Sequence, residues 1–439
     1  MTERRALMAK KATWRVRFER AWLVPVVCLF VVTAEFSRYL SFSRLGALVF
    51  APRNFFILGI LTLGAWAGLA LIKKDERTNV GRWRLLITPV VLLGWIGSAW
   101  SISSYPTATP ITLEWLNGTL LLLLIGIGAS AETARRRIAT ALVASVALIV
   151  GIGLLEKITD THLPLSNLHN PYRQQWAITS VFIGQNHLAA SLGLLLPLVA
   201  GFGLIWQGWR RWLAGATVIA GLVVLFFTGS SLTLIAVLVA SLVFAGAGLA
   251  VVRADARKRL VAGLVVLASL VIAGWFVLPA TVQDRVRLGT IGITQSFEAR
   301  IALAQQGIEL ALEHPLSGHG PGATEELVHV TLEGQPTLRA LHNVTLEFAV
   351  TYGVAAAVLV GVWLLWLVTQ LVRQLRRSGA RQQWSIIAVL ASLAALLIVQ
   401  SVPSTFEGVR APFIVVGFAL ALAMQRSRSK YVASQVVSS

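Results

Sequence analysis

The chain alternates long apolar runs with short polar ones, and the length of the apolar runs is the first constraint on the fold. Crossing about 30 Å of hydrocarbon takes roughly 20 residues of helix. Runs of that length, or nearly so, fall at residues 21–36, 54–72, 84–102, 110–129, 138–155, 186–206, 212–228, 232–252, 259–279, 345–370, 385–401 and 411–425. The pattern predicts an all-α integral membrane protein with about twelve transmembrane helices. Trp83, Trp100, Trp115, Trp176, Trp206, Trp212 and Trp384 fall near the predicted ends, as interfacial anchors do.

Two polar interruptions, 156–185 and 280–343, are longer than connection requires, and long loops are where function concentrates. In the second, Phe297, Ile301, Ala304, Ile308 and Leu312 recur at helical spacing with Glu298, Gln305, Glu309 and Glu313 opposite. Ser296 to Glu313 therefore reads as an amphipathic helix, lying at the membrane surface or capping a cavity.

Composition agrees with the pattern. Of 439 residues 56% are hydrophobic and 13% charged, too little charge to clothe a water-soluble surface. A formal charge of +19, from 38 Lys and Arg against 19 Asp and Glu, raises the question of nucleic acid. Placement decides against it. Threaded alternately through twelve spans, 28 of the basic residues fall on one side and 10 on the other, which marks the first side as cytoplasmic.

The reading is of a multi-pass protein of the bacterial inner membrane. A basic cytoplasmic N-terminus (1–20) precedes helices one to nine (21–279). A large periplasmic loop (280–343) contains the amphipathic helix and the candidate catalytic elements. Helices ten to twelve (344–425) and a cytoplasmic tail (426–439) follow. The first apolar run leads into Glu35, Phe36, Ser37 and Arg38 with no small-residue cleavage site, so it reads as an uncleaved helix. Cys28 is the only cysteine, which leaves no disulfide framework and no thiolate metal site.

Three elements near the large loop suit an anionic substrate. Arg300 sits at the edge of the apolar stripe, away from the acidic face, with Ser296, Phe297, Leu303 and Ala304 as its helical neighbours, so no local carboxylate neutralises it. A guanidinium there suits a phosphate gripped by two parallel hydrogen bonds, or snorkels to headgroups. Next, His314-Pro315-Leu316-Ser317-Gly318-His319-Gly320-Pro321-Gly322 forces a compact turn whose N–H groups can cradle an anion, though it matches no nucleotide-binding fingerprint. Lastly, His342-Asn343 precedes the tenth predicted span. Asn343 suits an N-cap, and the positive end of that helix favours a neutral imidazole and attracts phosphate. No paired acidic motif predicts a metal, His314 and His319 are too few to be ligands, and no Gly-x-Ser-x-Gly elbow predicts a serine hydrolase.

The order of these elements resembles the O-antigen ligase and O-antigen polymerase superfamily of integral-membrane glycosyltransferases. Ser296 to Arg300 with the turn at 314–320 looks like its Ser-x3-Arg helix and Pro-Leu-x-Gly-x-Gly turn. His342-Asn343, Leu346 and Gly353 resemble its His-Asn-x-x-Leu stretch and later glycine, and Gln185-Asn186-His187-Leu188-Ala189 with Pro197 its Asn-x-x-Ala helix start. The resemblance implies a metal- and cofactor-independent enzyme on the periplasmic face. Its donor is a glycan on undecaprenyl diphosphate, and its acceptor is the lipid A core or another glycan in a lipid membrane. By matching positions Arg300 holds the diphosphate and His342 serves as base, with Arg339, Gly318, Gly320 and Asn343 as further diphosphate-binding residues. Two departures stand out. Thr228-Gly229-Ser230-Ser231 lacks the arginine many members carry there, and Thr351 replaces a frequent acidic residue. Arg339 is the favoured substitute for the missing arginine, ahead of Arg38, Arg44, Arg173, Arg285, Arg287 and Arg410.

The leading expectation is a ligase that inverts the anomeric carbon. Within the same class stand a polymerase and a protein O-oligosaccharyltransferase. From another class stands a lipid-linked glycan flippase, which calls for charge within the spans and functional groups on both faces.

Overall fold

A computed structural model describes residues 18–36, 52–71, 80–169, 177–251, 299–331, 340–402 and 409–425. Among them every regular element is helical. A π-turn, Glu19–Leu23, leads into α1 (Val24–Thr33), followed by α2 (Pro52–Leu71), α3 (Val80–Ile102), α4 (Ala108–Gly128) and α5 (Glu132–Thr159). Next come α6 (Gln185–Ile205), α7 (Trp209–Phe227), α8 (Ser231–Val251), α9 (299–313) and the short α10 (Ala323–Leu327). The last four are α11 (Val344–Tyr352), α12 (Val354–Leu375), α13 (Ala380–Val399) and α14 (Ala411–Ala423).

Eight described helices, α3 to α8, α12 and α13, are long and apolar enough to cross a membrane, and three shorter apolar helices are α1, α2 and α14. Together they correspond to eleven of the twelve apolar runs; the run at 259–279 lies outside the described residues. One expectation changes. The single span expected at 345–370 is two helices, because Gly353 takes φ +94° and breaks the chain between α11 and α12.

The core is built around α4, α6 and α14, which are apolar nearly all round and therefore buried. Glycines let the axes close in: a Cβ on Gly417 would lie 2.8 Å from Ile125 of α4, too near to be tolerated. α13 packs on α6 and α8, and α7 on α6 and α5. The outward faces of α3, α7, α8 and α12 carry exposed Val, Ile and Leu, as a surface in lipid does.

Contacts between loops gather one end of the bundle. Ser103 Oγ, between α3 and α4, donates to Pro321 O at 2.8 Å. Arg300 donates to Ser401 O beyond α13, and the Glu35 carboxylate beyond α1 accepts from Arg410 N before α14 at 3.2 Å. All the site elements meet at this end.

Candidate functional site

The helix holding Arg300 forms where the periodicity places it, but its docking face differs from expectation. Ile308 and Leu312 of the expected stripe are 52% and 65% exposed, whereas Leu303 and Ala311 are 1% and 3% exposed. Leu303 and Ala311 belong to an apolar cluster with Leu341, Ala349 and Val350, and between them Gly307 lies against Leu341 and Leu346. The helix thus has two apolar faces, a narrow one of small residues on α11 and a broad one facing outward.

Arg300 lies at the start of the docked face. Its guanidinium donates to the Ser401 carbonyl, and burial lowers its pKa from the ordinary arginine value. The neighbouring Gln400 holds the start of α11: Val344 N donates to Gln400 O at 3.1 Å, and the Thr345 hydroxyl donates to Gln400 Oε1. Asn343 caps α11 as expected, its side-chain oxygen accepting Leu346 N at 3.1 Å. His342, immediately before the cap, takes φ +50° and is one of three non-glycine residues with positive φ among the described residues. Consecutive residues at the end of α13 therefore join Arg300 to the His342-Asn343 corner.

The glycine turn is held by hydrogen bonds to neighbouring elements. Gly318, Gly320 and Gly322 all have positive φ. Their amides are used within the protein: Gly318 N donates to His314 O at 2.9 Å, His319 N to Val350 O at 2.8 Å and Gly320 N to Thr351 O at 3.0 Å. Ala355 N, across the break, returns a bond to Pro315 O at 3.0 Å. A Cβ on Gly318 would collide with the Thr351 carbonyl, and one on Gly353 would lie 2.5 Å from Leu316 O. The turn is a clasp that locks the loop to the α11–α12 break. The N–H groups of Gly318 and Gly320 are donated to carbonyls of the protein itself. His319 is likewise engaged, its Nε2 2.9 Å from Leu310 O.

Of the candidate arginines, Arg339 lies outside the described residues, as do Arg38, Arg44, Arg173, Arg285 and Arg287. Arg410 is buried and committed: its guanidinium holds the Glu114 carboxylate and, at 3.0 Å, the Glu114 carbonyl. Glu35 accepts Arg410 N on both oxygens and faces Ser191 Oγ at 3.5 Å. Sequence reasoning missed this cluster, although an isolated Glu beside an apolar run was a visible signal. It also missed Glu156, a buried carboxylate that gathers the loop after α5. That carboxylate accepts Thr179 N at 3.0 Å and Ser180 N at 2.5 Å, and lies 2.6 Å from His162 Nδ1. Among the described residues no group of three His, Cys, Asp or Glu side chains is arranged to hold a metal.

Beside the corner a cavity of about 190 Å³ lies between α3, α4, α11, α12, α13 and α14. Its walls include Ile96, Trp115, Phe348, Trp363 and Phe413, and Thr345 and Gln400 line it at the end of the bundle that carries Arg300. An apolar chamber lined by Gln400, the neighbour of the residue that receives Arg300, suits an amphiphile with an anionic head.

Residues 216–361, from α7 through the clasp and the corner into α12, match the protein family described as O-antigen ligase. That stretch, a third of the chain, is similar to the O-antigen ligase superfamily. A search of curated proteins finds none that matches the chain. The O-antigen ligase match covers Arg300, the glycine turn, His342, Asn343 and Gly353 in one stretch, so the resemblance read from short motifs rests on a continuous domain. Its apolar helices and this likeness to the O-antigen ligase family together suit a multi-pass membrane protein.

Proposed function

We propose that this protein transfers a preassembled glycan from undecaprenyl diphosphate to an acceptor hydroxyl, with the lipid A core as acceptor, on the periplasmic face of the inner membrane. The observation that carries the proposal is the meeting of Arg300 and the His342-Asn343 corner on Gln400 and Ser401, at the end of an apolar cavity. The cavity takes isoprene units of the donor while its diphosphate lies against Arg300.

The acceptor hydroxyl attacks the anomeric carbon from the face opposite the diphosphate, a C–O bond forms as the bond to the diphosphate oxygen breaks, and configuration inverts. His342 takes the hydroxyl proton. The diphosphate leaves with increased negative charge, which Arg300 and the N-terminus of α11 stabilise most strongly in the transition state. No step calls for a metal. That the described functional groups gather at one end of the bundle supports surface chemistry over transport, which needs groups on both faces.

The test is reconstitution of the purified protein in vesicles with a defined undecaprenyl-diphosphate glycan in EDTA, offering lipid A core, a second lipid-linked glycan and a Ser/Thr-containing protein in separate reactions. Transfer to lipid A core with inversion is expected. Extension of the lipid-linked glycan or modification of the protein reassigns the acceptor, and transbilayer movement without transfer rejects the reading.

A further inference from the structure

The chamber is apolar along most of its wall, so the few polar side chains that line it mark where a ligand's polar part comes to rest. Besides the indole rings, these are Thr119, Thr345 and Gln400. Thr119 is buried within α4, whereas Thr345 is exposed and Gln400 half-exposed at the end of the bundle. Gln400 immediately precedes Ser401, whose carbonyl receives Arg300. An amphiphile whose tail fills the chamber and whose anionic head reaches Arg300 must pass the Gln400 side chain.

The Gln400 amide is oriented for that encounter. Its Oε1 accepts the Thr345 hydroxyl, which fixes the amide plane, and one N–H is donated to Leu397 O at 3.2 Å. An amide nitrogen carries two N–H groups, and the second is donated to no described group. We infer that Gln400, fixed by Thr345, is a substrate-binding residue that donates a hydrogen bond to a diphosphate oxygen of the lipid-linked donor at the end of the chamber. The inference rests on the function proposed above. It adds a neutral donor to the cation, Arg300, in diphosphate recognition there.

The charge of the side chain separates this role from a structural one. In Gln400→Glu the carboxylate still accepts the Thr345 hydroxyl that holds α11, and only the bond to Leu397 O within its own helix end is lost, a loss that Gln400→Met shares. A residue that faces a diphosphate does not tolerate the change, because two anions are brought together. Gln400→Glu is expected to raise the donor KM about tenfold or more while the acceptor KM stays near that of the parent. Gln400→Met, which keeps length and removes the donor without adding charge, is expected to raise donor KM about two- to tenfold.

Both variants are assayed in vesicles with undecaprenyl-diphosphate glycan beside Arg300→Ala, and the Met variant serves if the Glu variant fails to insert. A donor KM unchanged in Gln400→Met and Gln400→Glu, with Arg300→Ala inactive, overturns the inference and leaves the function standing. Full transfer by both Arg300→Ala and His342→Ala overturns the function and this inference with it.

Discussion

Arg300 is bonded to Ser401, and Val344, two residues after His342, to the adjacent Gln400; the two side chains stand in different backbone situations, and their substitutions should read differently. Arg300 is anchored through its side chain to a carbonyl 101 residues away, and in the proposed reaction it faces a group whose charge grows. Arg300→Ala should therefore raise donor KM and lower kcat together, and lysine should restore little, because an ammonium lacks the planar two-point grip. His342 is set by its backbone, at φ +50° before a capped helix. His342→Ala should lower kcat by about 100- to 10,000-fold with donor binding, measured by equilibrium partition into vesicles, near the parent value. Near-parent turnover in either correctly inserted variant removes that residue from the mechanism. Arg410 provides the contrast, since its guanidinium sits in the core against Glu114. Arg410→Ala leaves that carboxylate without its partner and should cost about 3–5 kcal/mol of stability, seen as a lower melting temperature in detergent. At this scale sequence disclosed what is local. The Asn343 cap needs only the next three residues, whereas the Arg300–Ser401, Arg410–Glu114 and Glu35–Arg410 contacts join positions with no local pattern to connect them.

The helix at 299–313 shows how far periodicity reaches. A repeat near 3.6 residues identified the helix, but its most conspicuous apolar residues are those turned away from the protein. The docked face was inconspicuous because close approach to α11 selects small side chains, Gly307 and Ala311, which carry little weight in a hydrophobic pattern. The two faces make opposite predictions. Gly307→Leu places a Cβ 2.6 Å from Leu346 and 2.8 Å from Leu341, with a bulky side chain beyond it, and should displace the helix from α11 and abolish transfer. Ile308→Ser alters only the outward face and should leave transfer within about twofold in detergent, where no bilayer surface is at stake. Equal loss in both variants, or none in Gly307→Leu, contradicts the observed orientation. The break at Gly353 escaped sequence reading because glycine is common in membrane helices; only the clasp packed against it explains the interruption.

At the level of the molecule, the apolar runs anticipated every long apolar helix described, since lipid leaves a 20-residue apolar segment few alternatives to a spanning helix. Sidedness is a separate proposal carried by charge, because the packing of a bundle is the same whichever end faces the periplasm. Cysteine at Thr331, between the clasp and the corner, should react with a membrane-impermeant thiol reagent in intact spheroplasts of a strain carrying a Cys28→Ala background. Labelling only after lysis reverses the orientation. The clasp also bears on how the chain is made. Residues 314–322 emerge from the ribosome before 350–355, which supply the carbonyls and the backbone gap they close on. Until the later helices have entered the bilayer, the Arg300 helix has no socket for Leu303 and Gly307 and can only rest on the lipid by its other face. In that order of synthesis the broad outward stripe is the face open to lipid first, and the His342-Asn343 corner is completed only once Gln400 follows α13.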